Sequence, residues 1–110
     1  LAVMQKLAGS QLGFGQQENT VIGVVATNAR LNKEQANKVA QMAQDGLART
    51  VRPAHTMLDG DTIFALSCGD LKADVNIIGA FAAEVFAQAI LRGVHTAQAV
   101  AGLPAAHFDT

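Results

Sequence analysis

Hydrophobic and polar positions change period several times along this chain. From Thr20 to Ala26 the run Thr-Val-Ile-Gly-Val-Val-Ala is apolar and largely β-branched. A short run apolar on both faces predicts a strand buried on both sides. Thr27-Asn28-Ala29-Arg30 then reads as a turn. From Ala36 the apolar positions take helical spacing, through Val39, Ala40, Ala43, Leu47 and Ala48, which predicts an amphipathic helix to about Arg49. Asn32 with Gln35 three residues on forms a capping box at its start, and Leu31 and Ala36 are placed as a hydrophobic staple. The opposite face, with Lys33, Glu34, Asn37, Lys38, Gln41, Gln44 and Asp45, reads as solvated.

Ile63-Phe64-Ala65-Leu66 predicts a second apolar strand. Asp74 then caps a second helix over about Val75 to Arg92, with Gly93 as the residue that ends it. Its expected buried stripe is Ile78, Phe81, Ala82, Val85, Ala89 and Ile90. Glu84 is the only charge before Arg92, so this helix should be covered on most sides. At the ends, Leu1, Met4, Leu7 and Ala8 begin a helical pattern that Gly9 stops. Gly13, Gly15 and Gln16-Gln17-Glu18-Asn19 read as an exposed loop. The tail from Leu103 to His107 reads as a short turn and a frayed end.

Two strands buried on both faces cannot make a stable sheet alone. The expectation is that further strands come from residues outside these 110, and that the chain is a piece of a longer precursor. Composition adds little beyond a globular class, with half the residues hydrophobic and 15% charged. A net charge of −1 provides no electrostatic footprint for nucleic acid or an anionic membrane. The scattered Phe residues, without Trp or Tyr, form no base-stacking platform. No stretch reaches 18 uninterrupted apolar residues, so no membrane span is expected. Cys68, the one cysteine, excludes an internal disulfide and fits a reducing, cytoplasmic compartment. Following an apolar run, it reads as a small buried filler.

Candidate chemistry concentrates at two places. Thr20 sits where a loop enters the first strand. If the Asn19–Thr20 bond were cut, Thr20 would carry a hydroxyl and a free α-amine, the latter titrating near ~7.7–8.0 and able to act as a base. Taken by itself, a threonine at a strand start also serves β propensity. Leu58-Asp59-Gly60-Asp61-Thr62 is the second place, with two acids on one face of an extended segment just before a strand. It reads either as an Asp-Gly turn or as a carboxylate pair that needs a cation nearby. His55, between Pro53 and these acids, reads as a hydrogen-bonded structural residue rather than a catalyst. No second His or Cys lies at ligand spacing, so neither a metal nor a cofactor is expected.

Asn19-Thr20-Val21-Ile22-Gly23-Val24-Val25-Ala26-Thr27, with Asp45-Gly46-Leu47-Ala48-Arg49-Thr50 and Leu58-Asp59-Gly60-Asp61-Thr62, resembles the self-cleaving aminopeptidase/D-esterase family, whose fold is N-terminal-nucleophile-like. The resemblance implies an α/β fold class, this chain being the C-terminal, small-subunit part of an αββα sandwich that is incomplete without the upstream subunit. It implies a division at the cut, with residues 1–19 ending the large subunit and residues 20–110 forming the small catalytic subunit. Asn19 and Thr20 would be the autocleavage pair, Thr20 the catalytic nucleophile, and Asp59 and Asp61 its supporting carboxylates. A lysine, an asparagine and the oxyanion donors would come from the large subunit, and Lys33, Lys38 and Lys72 lie outside the motif. The implied activity is amide hydrolysis through an acyl-enzyme, on 6-aminohexanoate oligomers. The alternatives are an aminopeptidase or β-peptidase on natural peptides, or a non-enzymatic α/β interaction module in which Thr20 merely starts a strand. The implied partners are the large subunit, an amide oligomer substrate, and further copies in a homo-oligomer of the processed heterodimer.

Overall fold

The computed structural model describes residues 19–106. The helical pattern and loop read over residues 1–18, and His107, lie outside the described residues. The fold is α/β, in the order β1 (Ile22–Ala29), α1 (Lys33–Thr50), β2 (Thr62–Leu71) and α2 (Val75–Thr96). The strands pair in parallel, Gly23 opposite Ile63 and Val25 opposite Ala65, with α1 as the crossover between them.

Both strands run further than their apolar cores. The expected turn at Thr27 to Arg30 is instead mostly strand, because polar side chains stitch the ends of the two strands together. Thr27 Oγ1 accepts from the Ala29 amide, and Ser67 Oγ donates to the Ala29 carbonyl at 2.7 Å while accepting from Leu31 N–H. The register slips between Thr27 and Ala29, so β2 carries extra residues there. At the other end β1 begins two residues later than expected. Asn19 to Val21 still run alongside β2, through an isolated parallel bridge from Asn19 to Asp59.

Helix α1 starts as the sequence predicts. Asn32 accepts from Gln35 N–H, and the Gln35 side chain accepts from the Asn32 amide. Its apolar stripe, Val39, Ala43 and Leu47, is fully buried against Ile63 of β2 and against Ala82 and Phe86 of α2. The face read as solvated is so except at Gln44, which is half-buried with Oε1 enclosed and unpartnered among the described residues.

Helix α2 departs from expectation in three respects. It continues through Gly93 to Thr96 and is capped by Ala97, since a glycine inside a helix costs only about 1 kcal/mol and nothing here requires a left-handed residue. Its buried stripe is Gly79, Ala82, Ala83, Phe86 and Ala87, with Ile78 and Ile90 half-buried. Phe81, Val85 and Ala89 are exposed instead. The reason is close approach: Gly46 of α1 lies against the Ala83 carbonyl with no room for a β-carbon, so the small-residue face of α2 turns to α1. Phe86 then reaches past α1 to cover Gly23 of β1, where a side chain would collide with its ring. Finally, Ile77, Phe81, Val85, Leu91 and Val94 remain exposed among the described residues, so the helix is covered on one side rather than most. It is long and apolar enough to cross a membrane by length and composition, but its small-residue face packs on α1.

The sheet is likewise covered on one face. Val21, Val25, Ile63 and Ala65 turn toward the helices. On the other face Ile22, Val24, Phe64 and Leu66 are 50–71% exposed. Cys68 belongs to that open face and is exposed, not the buried filler expected, because alternation along β2 carries it to the same side as Phe64 and Leu66.

Candidate active site

The two informative stretches of sequence meet in space. Asn19 N–H donates to the Leu58 carbonyl at 3.1 Å, Gly60 N–H donates to the Asn19 carbonyl at 2.8 Å, and Thr62 N–H donates to the Val21 carbonyl at 2.9 Å. These are the bonds of a parallel ladder, extended below β1 and β2. One rung is replaced. The Val21 amide bonds not to the Gly60 carbonyl but to Asp61 Oδ1, at 3.1 Å. Residues 19–21 are thus held on both sides of Thr20, while Thr20 is exposed and its hydroxyl has no hydrogen-bond partner among the described residues.

The three residues of Asp59-Gly60-Asp61 do different things. The Asp59 carboxylate turns back into its own loop, where Oδ2 accepts from Thr56 N–H at 2.9 Å and from Thr56 Oγ1 at 3.0 Å. The Asp59 amide returns a bond to the Thr56 carbonyl, which closes the turn. Gly60 faces Thr20: a β-carbon there would lie 3.0 Å from Thr20 Oγ1. Asp61, with a side chain only 7% exposed, divides its carboxylate between Val21 N–H and His55 Nδ1, the latter at 3.3 Å.

The structure therefore brings Asn19, Thr20, Gly60 and Asp61 together. Asp61 reaches the backbone one residue beyond Thr20 and not the Thr20 hydroxyl, and Asp59 is engaged by Thr56. His55, on a left-handed backbone (φ 59°), brings Nδ1 to 3.3 Å from Asp61 Oδ2, a close approach without the geometry of the hydrogen bond read for it. Thr56 and the Gly60 amide went unnoticed in the sequence. A threonine three residues before an aspartate is a turn-closing spacing that could have flagged the first; a backbone donor leaves no signal in side-chain identity. Asp45 to Thr50 lies in helix packing away from this site, with Arg49 facing Glu84 and the Thr50 hydroxyl bonded within α1. Among the described residues no three His, Cys, Asp or Glu side chains gather as a metal-holding group.

The site thus joins an exposed threonine at a pinned loop-to-strand junction to a loop whose two carboxylates are engaged nearby, by Thr56 and by Val21 N–H. Residues 1–107 match the model of peptidase family S58, and the chain belongs to that family. It is 41% identical over 94% of its length to an uncharacterized aminopeptidase of Mycobacterium tuberculosis, and 48% identical over 78% to one of Mycobacterium leprae. A 6-aminohexanoate-oligomer endohydrolase of a Kocuria species is 33% identical over 69% of the chain. The chain spans 35%, 28% and 25% of these three relatives, respectively.

Proposed function

We propose that this chain carries the nucleophile of an amide-bond hydrolase, and that the nucleophile is Thr20, released by cutting of the Asn19–Thr20 bond. The observation that carries the reading is the clamp on residues 19–21: three backbone bonds and the Asp61 carboxylate fix the bond on either side of a hydroxyl that no described residue engages. Membership of a peptidase family supports it. After the cut, the Thr20 hydroxyl attacks a substrate carbonyl and its proton passes to the neutral α-amine. Asp61 holds the amide one residue beyond where that amine forms, and Asp59 is the further carboxylate of the same loop. Both stabilise the ammonium that results. Water then attacks the Thr20 ester and releases the acid.

The substrate is an oligomeric amide. A natural peptide stands ahead of a 6-aminohexanoate oligomer, because the relatives named as aminopeptidases match more of the chain at higher identity. The upstream part of the protein is the partner. Among the described residues both edges of the two-stranded sheet are free, and a groove of about 330 Å³ along β1, walled by Val85, Phe86, Ala89 and Ile90, suits additional strand. The apolar face at Ile22, Val24, Phe64 and Leu66 suits a second sheet. The processed protein is then a cytoplasmic oligomer of heterodimers.

The test is the intact mass and amide-hydrolysing activity of the full-length protein. We expect a chain beginning at Thr20, an uncut and inactive Thr20→Ala variant, and a Thr20→Ser variant that is cut and retains activity. A Thr20→Ala protein hydrolysing amides at the parent rate would end this reading. Rates on a dipeptide series and on a 6-aminohexanoate dimer separate the two substrate classes.

A further inference from the structure

Given Thr20 as the nucleophile, on which this inference rests, the cut develops negative charge on the Asn19 carbonyl oxygen. The family resemblance places the donors for that charge in the upstream subunit, but one already sits on the oxygen within this chain. We propose that the Gly60 backbone N–H is an oxyanion donor for cleavage of the Asn19–Thr20 bond. It then serves the same role for substrate, whose acyl group takes the place of the Asn19 acyl group on Thr20 Oγ1.

Three observations carry the assignment. The Gly60 N–H already donates to the Asn19 carbonyl oxygen at 2.8 Å in the uncut ground state, so a donor is in place on the atom that gains charge when the hydroxyl attacks. The donor is fixed from both sides before reaction: Asp59 is tied to Thr56 by its amide and carboxylate, and Asp61 is tied to Val21 and His55. Such fixing removes the reorganisation that a donor would otherwise undergo as charge forms. Third, the same glycine lies against the attacking hydroxyl, since a β-carbon there would sit 3.0 Å from Thr20 Oγ1. Donor and nucleophile therefore flank one carbonyl, and glycine is the residue that leaves the hydroxyl room between them.

The step balances without outside reagents. A bond forms between Thr20 Oγ1 and the Asn19 carbonyl carbon, the bond from that carbon to the Thr20 nitrogen breaks, and the hydroxyl proton ends on that nitrogen. Water opens the ester, returning the Thr20 hydroxyl and leaving the Asn19 carboxylate. An ordinary ladder bond in the same place would contribute to stability alone, so rate and stability distinguish the two roles.

The experiment is an amide-to-ester exchange at residue 60 of the full-length protein, with glycolate in place of Gly60, installed by semisynthesis so that only the N–H is deleted. Appearance of the Thr20 N-terminus is followed by mass, and the same exchange in the Thr20→Ala protein is melted to check the fold. We expect cleavage to slow by about 10²–10³-fold with cooperative unfolding retained. Cleavage of the folded ester protein at the parent rate overturns the assignment. Where the ester protein does not fold, the Gly60 amide proton of the cut parent protein is followed by NMR as a peptide boronate forms its adduct with Thr20: a downfield shift supports the donor and an unmoved resonance overturns it. Thr20→Ala protein cut at the same bond refutes the nucleophile itself. Uncut Thr20→Ala beside normally cut ester protein refutes Gly60 alone.

Discussion

Replacing Asp61 tests how far the clamp around Thr20 depends on a side chain. Its carboxylate accepts from Val21 N–H at 3.1 Å and meets His55 Nδ1 at 3.3 Å, with only 7% of the side chain exposed. Asp61→Ala strips the half-buried Val21 amide of its partner, which costs about 1–3 kcal/mol. Asp61→Asn keeps an oxygen for that amide and loses the charge assistance alone, roughly 1 kcal/mol. The alanine variant should be the less stable by up to about 2 kcal/mol, a factor of up to roughly 30 in the unfolding constant. Val21 N is the amide that follows Thr20, so the alanine variant also frees the nucleophile to drift. A misplacement near 1 Å is worth about 10²-fold in rate. The stability comparison belongs in the full-length Thr20→Ala background, where every protein is expected uncut, using urea midpoints. The rate comparison uses Thr20 protein and the time course of the new N-terminus by intact mass. Equal midpoints for the two variants, or release of Thr20 at the parent rate from Asp61→Ala, would refute the clamp.

Gly46→Ala and Gly93→Ala should move stability in opposite directions, although both replace a glycine inside a helix. At Gly46 the new β-carbon meets the Ala83 backbone and should cost about 1–3 kcal/mol, whereas at Gly93 nothing lies within 4 Å and alanine should gain about 1 kcal/mol; thermal melts shifted the same way would show the helix contact wrong. Asn32→Ala removes the α1 cap and should cost about 1 kcal/mol, read from the same melts, and an unchanged midpoint would mean the cap contributes nothing.

Elements whose determinants are local were legible before the fold was known. The capping box at Asn32 and Gln35, the α1 stripe apart from the exposed Ala48, and the presence of both strands all follow from neighbours in sequence. What was not legible depends on contact between distant residues. The stripe of α2 turned because Gly46, more than thirty residues upstream, admits the backbone at Ala83. The strand ends lengthened because Ser67 can reach Ala29. At the site, Thr20 and the Asp-Gly-Asp segment could be picked out, but their pairing through Leu58, Gly60 and Asp61 is a property of register. Register across a crossover of this length carries no local signal.

The break in the ladder explains how one junction serves both a rigid backbone and a free hydroxyl. A regular parallel ladder would bond Val21 N–H to the Gly60 carbonyl and draw the two backbones flush against each other at Thr20. Asp61 takes that donor with its side chain instead, and the Gly60 carbonyl accepts from the Thr62 hydroxyl at 3.3 Å. The flanking rungs at Asn19 and Val21 survive, so the segment keeps its direction. Only the middle opens, and the space is what Gly60 and the Thr20 hydroxyl share. A side chain larger than hydrogen at residue 60 would close that space from one side. Loss of the Asp61 carboxylate would release the Val21 backbone that holds it open from the other. The aspartate and the glycine are therefore coupled through one gap, and a double variant, Gly60→Ala with Asp61→Ala, should slow the cut by less than the product of the two single effects. Independent effects that multiply in the full-length protein's cleavage rate would show that the gap is not shared.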